Sequence, residues 1–382
     1  MGDAMLLRAV YWCVALLSLA CCSAWAEPAD WAWRDEAFEY QPGLVQVEKD
    51  DLFRLETALR LHLGKPAWQD ATTRQRLKEL LSLIFEGQKQ FAYSAGHSTI
   101  ASETWQRRRG DCLSLTVLTY SVAKALGIPA QMQEVRVPPL FDRRGQVDAV
   151  NQHVNVLFRG VVRDLLEDPY PRDVVVDFEP EFGSRRVGHA LSEQAILARY
   201  YNNVATEHLM AGQRRLAYAH FRAAVAADPT YGPSYGNLAV LYRQAGFSRD
   251  AELLLRQAIG LSQPADVPLF TLHQLLTEQG RQEEARVVSQ SLESSRELDP
   301  YHWIGLGLAA MEKKEFGRAV GAFERARDMA SGFDEIHRYL ALAYWRSGDP
   351  AKARQEMEVM ALGGDDAGVS TLKGKLRATQ QP

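Results

Sequence analysis

The sequence predicts an α+β domain followed by an all-α superhelix of paired helices, and three observations predict it. Ala217, Ala251, Ala285, Ala319 and Ala353 recur at intervals of 34 residues, and two helical patterns fill each interval. Ahead of this array, a helical stretch opening at Cys112 is followed by short runs with the two-residue alternation of strands. The chain of 382 residues, 46% hydrophobic and 24% charged, has the composition of a globular protein and the length for two or three domains.

In chain order, residues 1–26 read as a cleaved export signal. Arg8 precedes the apolar run AVYWCVALLSLACC, and Ala24 and Ala26 flank Trp25 in a small-x-small cleavage pattern. Glu27 is then the first mature residue and the expected location is periplasmic or secreted. A competing reading takes Leu19-Ala20-Cys21 as a lipoprotein cleavage box, with Cys21 a lipidated, membrane-anchored N-terminus. No second apolar stretch is long enough to span a membrane. A net charge of −4 gives no electrostatic reason to expect a nucleic-acid partner.

Cysteine usage singles out one residue. Cys13, Cys21 and Cys22 fall in the leader, which leaves Cys112 alone in a mature chain cleaved at Glu27. One cysteine forms no internal disulfide, and a lone thiol in an oxidising compartment is a candidate nucleophile.

Residues 27–200 form the predicted α+β domain with its N-terminal helices and a linker helix, LSEQAILARY. Residues 48–63 and 72–92 read as amphipathic helices, and a Gly-His-Ser turn follows at 96–98. Gly110 and Asp111 make a turn and an N-cap, and the helix from Cys112 to Leu126 is stopped by Gly127 and Pro129. The helix dipole and the unpaired N–H groups of the first turn favour a thiolate at Cys112. Arg107 to Arg109 either add positive potential or form a solvated charge run. Strands are expected at 131–137, at 153–158 with His153 at its start, and at 174–178 carrying Asp177; the PP and DRRG stretch between the first two reads as a loop.

A thiolate, an imidazole and a carboxylate in that order suit acyl transfer. The thiolate attacks an acyl carbon, the imidazole moves the proton, and the carboxylate orients the imidazole. The Arg-Gly-Asp-Cys turn, the helix ending Ala-Leu-Gly-Ile-Pro-Ala, the His-Val-Asn strand and the Val-Asp-Phe strand resemble the transglutaminase-like superfamily across residues 85–185. The resemblance implies a papain-like fold with Cys112 as nucleophile, His153 as base and Asp177 as its partner. Two departures are Asn155, where a tryptophan often follows the histidine, and a long His–Asp connection. His97 and His189 are rival histidines, and Ser114 with Asp111 is an alternative serine arrangement. The backbone N–H of Cys112 is the first oxyanion donor; Tyr93, Gln106 and Trp105 compete for the second, and Asn151 and Gln152 help shape the site. No HExxH, paired metal spacing or glycine-rich phosphate loop is present, so no metal or cofactor is expected.

Residues 201–362 hold the array. Gly212, Gly246, Gly280, Lys314 and Gly348 stand five residues before the five alanines. Pro229 closes the first unit, and Pro264 and Pro300 stand one and three residues out of register. This pattern resembles tetratricopeptide repeats, five in all, whose stacking forms a groove that binds a peptide or protein. The bland alternative is a spacer or dimerisation platform. Residues 363–382 read as a solvating cap helix and a frayed end.

The combined expectation is an exported cysteine acyl-transfer enzyme, an amide hydrolase, peptidase or transamidase, acting on a protein or peptide recruited by the groove. Proteolysis of a surface adhesin and action on cell-wall peptides are subsidiary readings. The alternative is a non-catalytic envelope adaptor in which both parts mediate protein–protein interaction. Bacterial envelope proteins joining such a domain to tetratricopeptide repeats look similar.

Overall fold

The computed structural model describes residues 32–85, 91–94, 96–135, 141–144, 147–150, 153–164, 168–178, 188–262, 264–329 and 334–362. The expected leader with Cys13, Cys21 and Cys22, the cleavage expected before Glu27, Asn151, Gln152 and the tail from residue 363 lie outside the described residues.

The N-terminal part begins with helices α1 (Lys49–Leu52), α2 (Thr57–Leu63), α3 (Pro66–Gln69) and α4 (Thr73–Phe85). The single helix expected at 48–63 is thus two. Glu56 breaks it by accepting the N–H of Leu59 at 3.0 Å, which caps a new helix rather than continuing the old one. Of the helix expected at 72–92, Thr73–Phe85 is helical, residues 86–90 lie outside the described residues, and Ala92–Tyr93 is a short strand, β1, parallel to β2 (Arg109–Gly110). Its backbone finds partners in the approach to Cys112, with Ala92 N–H donating to Arg108 O at 2.9 Å. Helix α5 (Ala101–Arg107) lies between them. Arg108 ends it at φ 53°, with its guanidinium 3.6 Å from the Trp105 ring centroid.

Helix α6 (Cys112–Ala125) covers a four-stranded antiparallel sheet. The strands are β3 (Gln131–Val135), β6 (His153–Asp164), β7 (Asp168–Val176) and β8 (His189–Leu191), in the order β7-β6-β3-β8, with β4 (Phe141–Arg144) and β5 (Val147–Val150) forming a separate hairpin. The loop expected across 138–145 therefore contains a strand. Leu113, Val117 and Val122 of α6 pack with Met132, Val154, Val156 and Phe158 of the sheet in one buried core. Asp177 lies one residue past β7 rather than within a strand.

The C-terminal part is an array of tetratricopeptide-type helix pairs. They are α7 (Glu193–Met210) with α8 (Arg214–Ala227), α9 (Gly232–Gln244) with α10 (Ser248–Leu261), α11 (Asp266–Glu278) with α12 (Gln282–Glu297), α13 (Pro300–Glu312) with α14 (Phe316–Met329), and α15 (Asp334–Ser347) with α16 (Pro350–Leu362). All five periodic alanines are at most 2% exposed, so any larger side chain there would push the paired helices apart. The residues five before them occupy left-handed backbone at φ 73°, 86°, 73°, 61° and 90°. Four are glycine; the 61° residue is Lys314, exposed and carrying a Cβ. Left-handed backbone costs a non-glycine residue about 1–2 kcal/mol, and glycine's extra freedom in the unfolded chain returns about half of that. Lys314→Gly is therefore expected to stabilise the array by about 0.5–1 kcal/mol in urea unfolding. An unchanged or lowered midpoint would contradict this account of the turn.

Two features tie the parts together. Helix α7 runs unbroken through residue 200, from its cap at Ser192, whose hydroxyl accepts the N–H of Ala195 at 3.0 Å. The boundary expected at 200, with LSEQAILARY as a linker, thus falls inside the first repeat helix. The reason is packing: Ile196, Leu197, Tyr200 and Tyr201 belong to the same core as α6 and the sheet. The second feature is a strap. Residues 32–40 cross onto the first two repeats, where Phe38 stacks on Tyr218 with centroids 4.6 Å apart. Arg34 Nε donates to buried Asp250 at 2.7 Å, and the Tyr218 hydroxyl donates to Asp35 at 2.7 Å.

Candidate functional site

Asp111 opens α6 as expected: its Oδ1 accepts the N–H of Ser114 at 2.7 Å and the Ser114 hydroxyl at 2.6 Å, while its Oδ2 accepts the Ser98 hydroxyl at 2.5 Å. Burial pushes the Asp111 carboxyl above its ordinary range, against the pull of these bonds. Ser114 Oγ also accepts the N–H of Thr99 at 2.8 Å, so its hydroxyl is occupied in holding the cap together. The cap in turn is fastened to the first repeat, where Asn203 Nδ2 donates to Ser98 Oγ at 2.9 Å and Glu207 accepts the Ser98 N–H at 3.0 Å.

Cys112 is the first residue of α6, half-buried. One turn further along the same helix face, the Thr116 hydroxyl donates to Val154 O at 3.1 Å. That bond fixes α6 across β6 at the residue next to His153. His153 begins β6, opposite Val135 of β3, and is 2% exposed. Its Nε2 lies 2.6 Å from Asp177 Oδ1, and both side chains are 2% exposed. The structure therefore brings His153 and Asp177 together and sets Cys112 on the helix that crosses β6, the strand His153 begins.

The other sequence candidates fall elsewhere. His97 Nδ1 is 2.7 Å from Glu207 Oε2, on the outside of the Ser98 turn. His189 is exposed on the edge strand β8. Arg107 pairs with Glu103 on an exposed face, so this charge is spent locally. Trp105 lies under Arg108 and Gln106 is exposed, whereas Tyr93 lines the same cavity as Cys112.

Two buried amides also serve this pair: Asn155, which the sequence marked only as a departure from the resemblance, and Gln133, which it did not mark. Asn155 Nδ2 donates to Asp177 Oδ2 at 2.9 Å, and Gln133 Nε2 donates to Asn155 Oδ1 at 2.9 Å. The signal was available. Asn155 is two residues from His153 in an alternating strand and so shares its face, and Gln133 interrupts the alternation of β3. Asn155 thus serves the carboxylate at the position where the resemblance put a tryptophan.

Cys112, but neither His153 nor Asp177, lines a groove of about 1260 Å³. Cys112, Glu134 and Val154 stand at one end, and the first helices of four successive repeats supply the walls, through Asn202, Asn237, Thr271 and Tyr301. Asn237 Nδ2 donates to Asn202 Oδ1 at 3.0 Å, one repeat to the next. Where the groove passes the sheet, Arg199 of α7 forms an ion pair with Glu134 of β3, and its guanidinium lies 4.3 Å from the Tyr231 ring centroid. Burial holds the Tyr231 phenol well above its ordinary range, and Asp228, Glu134 and Cys112 push it further in the same direction, against the pull of Arg199. Among the described residues, no group of three His, Cys, Asp or Glu side chains could hold a metal ion, and no helix is long and apolar enough to cross a membrane.

No protein-family model and no curated protein matches the chain. Among solved structures it is similar to the APC/C hetero-tetramer Cut9–Hcn1, 20% identical over 48% of this chain, with a TM-score of 0.26. The chain spans 36% of that one. It is similar also to YrrB, described as a TPR protein with an unusual peptide-binding site, at 15% identity over 46% of this chain and 92% of that one, TM-score 0.25. A third is pilF of Pseudomonas aeruginosa, 19% identical over 50% of this chain and 94% of that one, TM-score 0.26. At these TM-scores the likenesses add nothing to the repeat architecture, which stands on the 34-residue period and the helix pairing. None of the three is described as a transglutaminase-like protein.

Proposed function

We propose that the chain binds an extended segment of a protein or peptide along its repeat groove and carries out acyl transfer on that segment at Cys112. The observation that carries the reading is the continuity of the groove, which has Cys112 at one end and the first helices of four repeats along its length. The buried His153–Asp177 pair at 2.6 Å, beside the helix that Cys112 opens, supports the chemistry.

On this reading the Cys112 thiolate attacks the acyl carbon of an amide, and the carbonyl electrons move onto oxygen. The Cys112 N–H at the helix start is the first donor to that oxyanion, and Tyr93, lining the groove, is the better placed of the three candidates for the second. Imidazolium His153 returns the proton to the departing amine, leaving a thioester. Water or an amine then attacks the thioester, and Asp177 keeps the ring oriented throughout. The resemblance of residues 85–185 to the transglutaminase-like superfamily points the same way.

The second reading is a scaffold in which the groove binds and no bond breaks. The repeat half favours it, because helix-pair arrays serve chiefly as binding surfaces. One experiment separates the two. The purified chain is incubated with an activated thiol-directed acyl ester, beside Cys112→Ala and His153→Ala. Acyl transfer predicts rapid acylation of the parent, none of Cys112→Ala, and at least a hundredfold slower labelling of His153→Ala. Equal rates for the parent and His153→Ala leave the scaffold reading standing.

A further inference from the structure

The buried amides beside Asp177 form a chain whose direction is set by a single backbone group. The N–H of Gly188 lies 2.9 Å from Gln133 Oε1, and a peptide N–H only donates. Gln133 therefore presents Nε2 to Asn155, which accepts through Oδ1, and Asn155 presents Nδ2 to Asp177 Oδ2. Asp177 is left to accept at Oδ1 as well, where His153 Nε2 lies 2.6 Å away. Resting on the acyl-transfer reading for its role in catalysis, we infer that Gln133 and Asn155 are positioning residues that hold His153 in the tautomer with its hydrogen on Nε2, making Nδ1 the proton-accepting nitrogen.

Three features of the structure make this direction hard to reverse. Gln133 and Asn155 sit directly opposite each other in the β3–β6 register and are fully buried, so water does not stand in for a missing partner. Turning either amide over sets oxygen against oxygen, or nitrogen against nitrogen, at 2.9 Å. Each such mismatch leaves a buried polar group unsatisfied. Gly188 is needed at the head of the chain, because a Cβ there would lie 2.0 Å from Glu134 O. No other residue brings its N–H to Gln133 without moving β3.

Nitrogen-15 NMR of the full chain, labelled on histidine and assigned with His153→Gln, reads the tautomer directly. At pH 8 the expected spectrum has a protonated Nε2 and an unprotonated Nδ1 for His153. In Asn155→Leu and in the isosteric Gln133→Glu, which reverses the chain by accepting from both neighbours, the two nitrogens should move toward an averaged pair of shifts. The pH profile of Cys112 alkylation should move its acid limb up by about one unit in both. A parent His153 with its hydrogen on Nδ1 overturns the inference without any variant. So does an unchanged tautomer in folded Asn155→Leu and Gln133→Glu. The expected spectra alongside a Cys112 alkylation profile like that of free cysteine support the relay and overturn the acyl-transfer reading instead.

Discussion

Dividing the chain between Arg199 and Tyr200 is expected to yield two fragments that fail to fold separately. The cut passes through α7, whose eighteen residues run from Glu193 to Met210 without a break. It also separates Ile196 and Leu197 from Tyr200 and Tyr201, four side chains of the core built around α6. Full burial of a large apolar side chain is worth about 1.5–3 kcal/mol, so their misplacement removes on the order of 8 kcal/mol, close to the whole stability of a typical domain. Circular dichroism and NMR dispersion of residues 32–199 and 200–362 test this. Two cooperatively unfolding, well-dispersed fragments would show that the shared core is dispensable.

The second large effect belongs to Asp177. Replacing it with Asn sets an amide against two donors, His153 Nε2 and Asn155 Nδ2, and one amide oxygen accepts from only one of them well. The ring then turns or takes the other tautomer. On the acyl-transfer reading, single-turnover acylation of Cys112 should fall about 10³–10⁴-fold while the melting temperature changes little. The acylation rate of a folded Asp177→Asn chain decides the matter, and a loss under tenfold would remove Asp177 from the mechanism.

How much of this was legible in the sequence depended on the kind of signal each feature leaves. The array was readable because one contact, alanine against the paired helix, repeats every 34 residues and admits only a small side chain. The alignment of Asp111, Cys112 and His153 with a helix start and a strand start was readable because capping and alternation are local. Asp177 was placed in a strand that ends one residue before it. Gln133 was passed over and Asn155 was named without a role, because a polar residue in a strand ordinarily faces water, and only the β3–β6 register shows that these two face each other. The boundary at residue 200 was misplaced because helical periodicity shows which face is apolar, not what covers it. The strap at 32–40 left no signal, since its partners lie more than 180 residues away and no short-range pattern announces them.

That strap has a consequence for the order in which the molecule is made. Arg34 and Asp250 are 216 positions apart, so one of the earliest described residues waits for one from well inside the array. At about 5–20 residues per second, ribosomal synthesis imposes a delay of roughly 10–40 s between them. For most of that interval Phe38 has no Tyr218 to stack against, and the segment must stay clear of other surfaces. Closure of the strap is therefore a late event in maturation, and the second repeat has to emerge before the first residues of the described chain find their place.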